Sequence, residues 1–150
     1  MMMRARGLLV IQALLLAFAI SCENGSGPSG DSGLQFTLSG QDTQAISAGE
    51  VGKFYIAVKN KGSSVAIVSC VRKANNLPDS TWSSSLCIGT KCFPPMIDSV
   101  VAEIEGGSTD TCLVDVQTGA SGTALVTVEL FDQADPAQQY EHTFSCTVTQ

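Results

Sequence analysis

The sequence carries one histidine, one tryptophan and only eight lysines and arginines in 150 residues. Each scarcity narrows the function. A serine–histidine–aspartate site needs a histidine held beside its nucleophile, and His142 is the single candidate. A phosphate backbone rewards clustered cations, so nucleic acid is a poor partner. There is no nucleophile-elbow motif and no phosphate-binding glycine loop; "TGASG" (118–122) is glycine-rich but joins two strand-like runs, which makes it a turn. No apolar run reaches the roughly 20 residues that a membrane-spanning helix needs. The longest covers residues 8–20, interrupted only by Gln12.

That run follows a basic start, "MMMRARG", and no acidic residue precedes Glu23. A basic start, a short apolar stretch and small residues at its end describe a signal peptide over residues 1–21. A buried helix is the alternative, but the glycine- and serine-rich tract over 22–33 would detach it from any core. That tract reads as a flexible tether, and residues 34–150 as one ordinary domain. "AISC" (19–22) resembles the lipobox of bacterial lipoproteins, with Ala19 where leucine is usual. The resemblance implies cleavage before Cys22, lipid on its thiol, and a bacterial cell-envelope location facing the periplasm or exterior. Several acyl chains anchor almost permanently where one holds only marginally. Ordinary secretion competes, because Ala17-Phe18-Ala19 also reads as a cleavage site. Loss of Arg4 and Arg6 leaves six basic against fourteen acidic residues, a balance of −8. Such a surface confers solubility.

From residue 34 the apolar period is two. Strands are expected over 34–39, 52–60, 64–73, 82–88, 99–104, 109–117, 123–131 and 139–149. The last is the cleanest, with Tyr140, His142, Phe144, Cys146 and Val148 against polar neighbours. Seven or eight such runs divided by Gly, Pro, Asn and Asp turns predict an all-β, antiparallel β-sandwich; a closed barrel is the alternative. The segments "AGEVGKFYIAVKNKGSS" (48–64) and "IEGGSTDTCLVDVQTGASGTALVTVEL" (104–130) resemble the immunoglobulin-like domains of bacterial exported proteins, of the CARDB kind. "EGG" stands where that family has a proline-glycine turn. The resemblance implies an immunoglobulin-like fold over about 34–150 and says little of function.

Setting Cys22 aside leaves five cysteines, and outside the cytoplasm such a set means disulfides. Cys87 and Cys92 enclose "IGTK", whose Gly89 lets the chain turn back, and are the first expected pair. Cys70–Cys112 is the second if strands 64–73 and 109–117 face each other, leaving Cys146 buried and unpaired; the other two pairings of these three stay open. The spacing of "CIGTKC" matches neither thioredoxin-like redox sites nor most zinc knuckles, so no metal or cofactor is expected. His142 reads as an interior or rim residue. Glu103 and Glu105 read as a solvated or guarded edge. Trp82 and Phe93, in "WSSSLCIGTKCFPP" (82–95), are the candidate contact surface for a protein or glycan, although packing of Trp82 over the core is the stronger reading. The whole describes a non-catalytic, lipid-anchored binding module for protein, glycan or envelope contact. Its rivals are a soluble secreted subunit of an extracellular assembly and a periplasmic thiol- or metal-handling protein.

Overall fold

The computed structural model describes residues 33–149. The expected signal peptide, most of the tether and Cys22 lie outside them. Ten strands form two facing sheets of five. The first runs in the order β1 (Leu34–Ser39), β3 (Val51–Asn60), β8 (Thr109–Gln117), β5 (Ser83–Ile88) and β6 (Lys91–Cys92). The second runs β2 (Thr43–Ile46), β10 (Gln139–Val148), β9 (Gly122–Asp132), β4 (Ala66–Asn76) and β7 (Ser99–Ile104). This is an immunoglobulin-like β-sandwich.

Eight strands fall where period-two patterning places them; β2 and β6 raise the count to ten. Neither is long enough to show an alternation. β2 also corrects the all-antiparallel expectation. The chain leaves β1 through Gly40, crosses to the other sheet and meets β10 running the same way, with Thr43 opposite Ser145. Every other pairing is antiparallel.

The core follows from the alternation. Phe54, Ile56 and Val58 of β3 and Cys112, Val114 and Val116 of β8 face Val68 and Cys70 of β4, the Ala124–Leu130 alternates of β9, and Phe144 of β10. Burying such side chains contributes roughly 25 cal/mol for each Å² removed from water. Two polar residues tie loops to this core. Asn60 donates from Nδ2 to the carbonyls of Ser64 and Ile104, both at 2.8 Å, and accepts the Gly62 amide at 2.9 Å. It closes the "NKG" turn and pins it to the end of β7.

Arg72 is the second. The β4 ladder shifts register between Arg72 and Ala74, and the Arg72 side chain is 2% exposed. Its guanidinium donates to Ser84 O and Oγ at 2.6 and 2.8 Å, to Asp98 Oδ1 at 2.8 Å, and to the carbonyl of Pro95. A buried cation persists only when so completely partnered. Arg72 therefore joins β5 of one sheet to β4 of the other and holds the 94–98 loop against both.

Candidate functional site

The β5–β6 hairpin turns through Gly89 and Thr90, with Ile88 opposite Lys91. Gly89 has φ +57, and a side chain there would meet the Asp110 carboxylate at 2.8 Å. Glycine at the first turn position is the pattern of a type II′ hairpin. The turn brings Cys87 opposite Cys92, and the two form a disulfide. Cys70, Cys112 and Cys146 are buried, and no two of their sulfurs lie at bonding distance in the structure. Cys70 and Cys112 are brought together, Sγ to Sγ 3.0 Å, from opposite sheets.

Trp82 is 4% exposed and belongs to the core, its indole N–H donating to the Ala120 carbonyl at 3.1 Å. Phe93 packs half-buried against the same core. Trp82 thus packs over the core, the stronger of its two expected placements, beneath the β8–β9 turn that supplies Ala120, and does not serve as an exposed contact ring. The large apolar side chain projected here is Met96, just after the segment, 80% exposed.

His142 lies half-buried on the inner face near the β10 rim. Its ring stacks on Tyr140 at 5.8 Å and tilts against Phe144 at 4.9 Å. Nδ1 is 3.3 Å from the Tyr140 hydroxyl, and Nε2 is 3.4 Å from Asp42 Oδ2, a contact that becomes an ion pair only on protonation. The hydroxyl at His142 is thus a phenol. Burial, then the Asp42 charge, raises the pKa of Tyr140, which makes it a poor nucleophile. The arrangement is a stacked aromatic rim.

Asp115, on the outer face of β8, sits beside the disulfide. Its Oδ2 is 4.0 Å from Cys87 Sγ, which carries no proton to donate, and its Oδ1 is buried without a partner. Desolvation raises its pKa, opposed by Lys53. Ligand atoms of Cys87, Cys92 and Asp115 lie within 4.8 Å of one another. With the sulfurs bonded to each other, the trio offers a cation one carboxylate, and zinc sites use three or four ligands.

A concave surface lies elsewhere, where β7 of one sheet approaches the β5–β6 hairpin of the other. A cleft of about 660 Å³ opens there, walled by Ile67, Val101 and Ile88 and bordered by Lys91, Glu103 and Asp110. A neighbouring cleft of about 500 Å³ shares Ile67 and Gln133 with it and runs to the β3–β4 loop. Val101 is 50% and Ile67 40% exposed, and β7 is an edge strand bonded only to β4. Unpaired backbone, apolar side chains and mixed charge therefore meet along one edge. Sequence reasoning identified the edge at Glu103 but not the cleft, whose walls come from strands of both sheets.

No protein-family model matches the chain, and no curated protein matches it. Solved structures do resemble it. The N-terminal domain of PorA aligns at 18% identity over 77% of this chain and 98% of that one, with a TM-score of 0.58. A family 123 glycoside hydrolase from Clostridium perfringens aligns at 11% identity and a TM-score of 0.55, over 78% of this chain but only 27% of that enzyme. The CARDB domain of a Pyrococcus furiosus protein aligns at 11% identity over 77% of this chain and 87% of that one, with a TM-score of 0.42, too low to bear on the argument. At these identities the likeness is one of fold: the chain is similar to immunoglobulin-like sandwiches found in proteins of unrelated activity.

Proposed function

We propose that the chain is a bacterial lipoprotein: a lipid on Cys22 anchors it to the envelope, residues 23–33 tether it, and the sandwich serves as a non-catalytic module contacting an extracytoplasmic protein or glycan. The observation that carries this reading is the order of the N-terminal segments. A basic start, an apolar run, "AISC" and a glycine/serine tract lead to Leu34, where β1 begins. The Cys87–Cys92 disulfide supports an oxidising compartment.

Within this reading the contact face is the β7 edge. Binding sites concentrate where a rigid scaffold presents loops and clefts. The experiment labels cells expressing the full chain with an alkyne fatty acid. Label and membrane partitioning are expected for the native chain and lost for Cys22→Ala; unchanged partitioning of the variant would reject the anchor. A mature terminus at Ile20, after the Ala17-Phe18-Ala19 site, would favour the soluble secreted subunit instead. A photocrosslinker at position 101 is expected to capture a partner on intact cells. The same group at Leu125, exposed on β9, is the control expected to capture none.

A further inference from the structure

We infer that Cys70 and Cys112 form a second disulfide, which joins the two sheets through the middle of the core and leaves Cys146 as the domain's one thiol. Cys70 lies on β4 and Cys112 on β8, each completely buried, with sulfurs 3.0 Å apart. A disulfide holds its sulfurs at about 2.05 Å, so closing the bond asks for a movement of only about 1 Å.

The register excludes the other pairings. Cys112 lies opposite Ile56 of β3. A side chain built at Gly52 of that strand would meet Cys146 Sγ at 2.8 Å. Four residues of strand, about 13 Å, separate those two levels. On β9, Cys70 lies opposite Leu130 and Cys146 opposite Ala124, six residues or about 20 Å apart. Cys146 reaches neither partner without unfolding a strand.

The chemistry sets when the bond forms. Two thiols give up two protons and two electrons, by thiol–disulfide exchange, to a disulfide-bearing oxidant that leaves as its dithiol. The attacking species is a thiolate. In the folded domain the contact with Cys70, followed by burial, raises the Cys112 thiol far above its ordinary pKa. Both sulfurs are completely buried once the sheets close, out of reach of a disulfide-bearing oxidant, so the bond forms while the sheets are still assembling, and the closed core then shields it from reductants.

The test does not depend on export or lipidation. The full chain is reduced and unfolded, refolded with a mixture of oxidised and reduced glutathione, then denatured without reductant and alkylated. A linked peptide pair containing Cys70 and Cys112 is expected, with alkylation of Cys146 and not of Cys70 or Cys112. The Cys146→Ala variant should give the same linked pair. Alkylated Cys70 and Cys112, or a link from either to Cys146, would overturn the inference. If the bond forms on refolding while the Cys22→Ala chain still partitions to membranes, only the anchoring proposal fails.

Discussion

At the scale of single residues, the informative positions are the ionisable groups that the fold takes partly or wholly out of water. Asp115 gains nothing from its position: one oxygen is buried without a partner, and desolvation lifts its pKa in the folded chain. The native state therefore binds the proton more tightly than the unfolded state does. Stability contributed by the protonated acid is complete below the ordinary carboxylate value and is lost as pH rises through the folded one. Asp115→Asn is expected to raise the melting temperature at neutral pH, with the gain vanishing near pH ~3, below the ordinary aspartate range. Melting curves across that range check it, and a pH-independent difference would contradict it. Arg72 is the opposite case, a buried charge fully partnered. Arg72→Ala strands the carbonyls of Ser84 and Pro95 and should cost about 2–4 kcal/mol in denaturant unfolding. Arg72→Lys should recover only part, because an ammonium does not reproduce the planar fork.

Among the elements, legibility tracked length and regularity. Strands such as β3, β9 and β10 show eight or more alternating positions, and their buried faces could be read from the letters. Four-residue β2 and two-residue β6 carry no period, and the parallel pairing of β2 with β10 depends on a crossing between sheets that no local pattern encodes. Arg72 was hidden because it follows Val68 and Cys70 on the inner face of β4, where an apolar residue continues the pattern. The Cys87–Cys92 turn was legible because a glycine between close cysteines has few other uses. The β7 cleft was not, since its walls come from β4, β5 and β7, brought together only by the fold. Under the proposal β7 is the contact edge: Val101 faces out, while Glu103 discourages pairing with a stray strand. With the photocrosslinker moved to position 103, exposed on the same edge, Val101→Lys should abolish the crosslinking. It should shift unfolding by no more than about 0.5 kcal/mol, the usual range for a surface substitution. A matching loss of stability would show that Val101 acts through the core instead.

For the whole molecule, the two ends of the proposed mature chain have opposite physical characters, a lipid at Cys22 and an acidic sandwich beyond the tether. The balance of −8 matters because membrane surfaces carrying anionic lipid attract basic segments and repel acidic ones. The described domain has no helix long and apolar enough to cross a bilayer. Under the proposal, then, the lipid alone should hold the protein to the membrane, with the domain standing off the surface and its β7 edge free. Cys22→Ala protein purified from the soluble fraction should therefore not sediment with vesicles of mixed zwitterionic and anionic lipid. Lowering the salt should not change this, although the Debye length then grows from about 8 Å at physiological strength towards 30 Å. The lipidated chain should sediment with the same vesicles at every salt concentration, since acyl burial is insensitive to screening. Both forms should also melt at the same temperature, because the core contacts of the sandwich do not involve the anchor. Sedimentation of Cys22→Ala that strengthened at low salt would instead reveal a direct membrane-binding face on the domain, and the β7 edge would then have to be tested as a lipid surface.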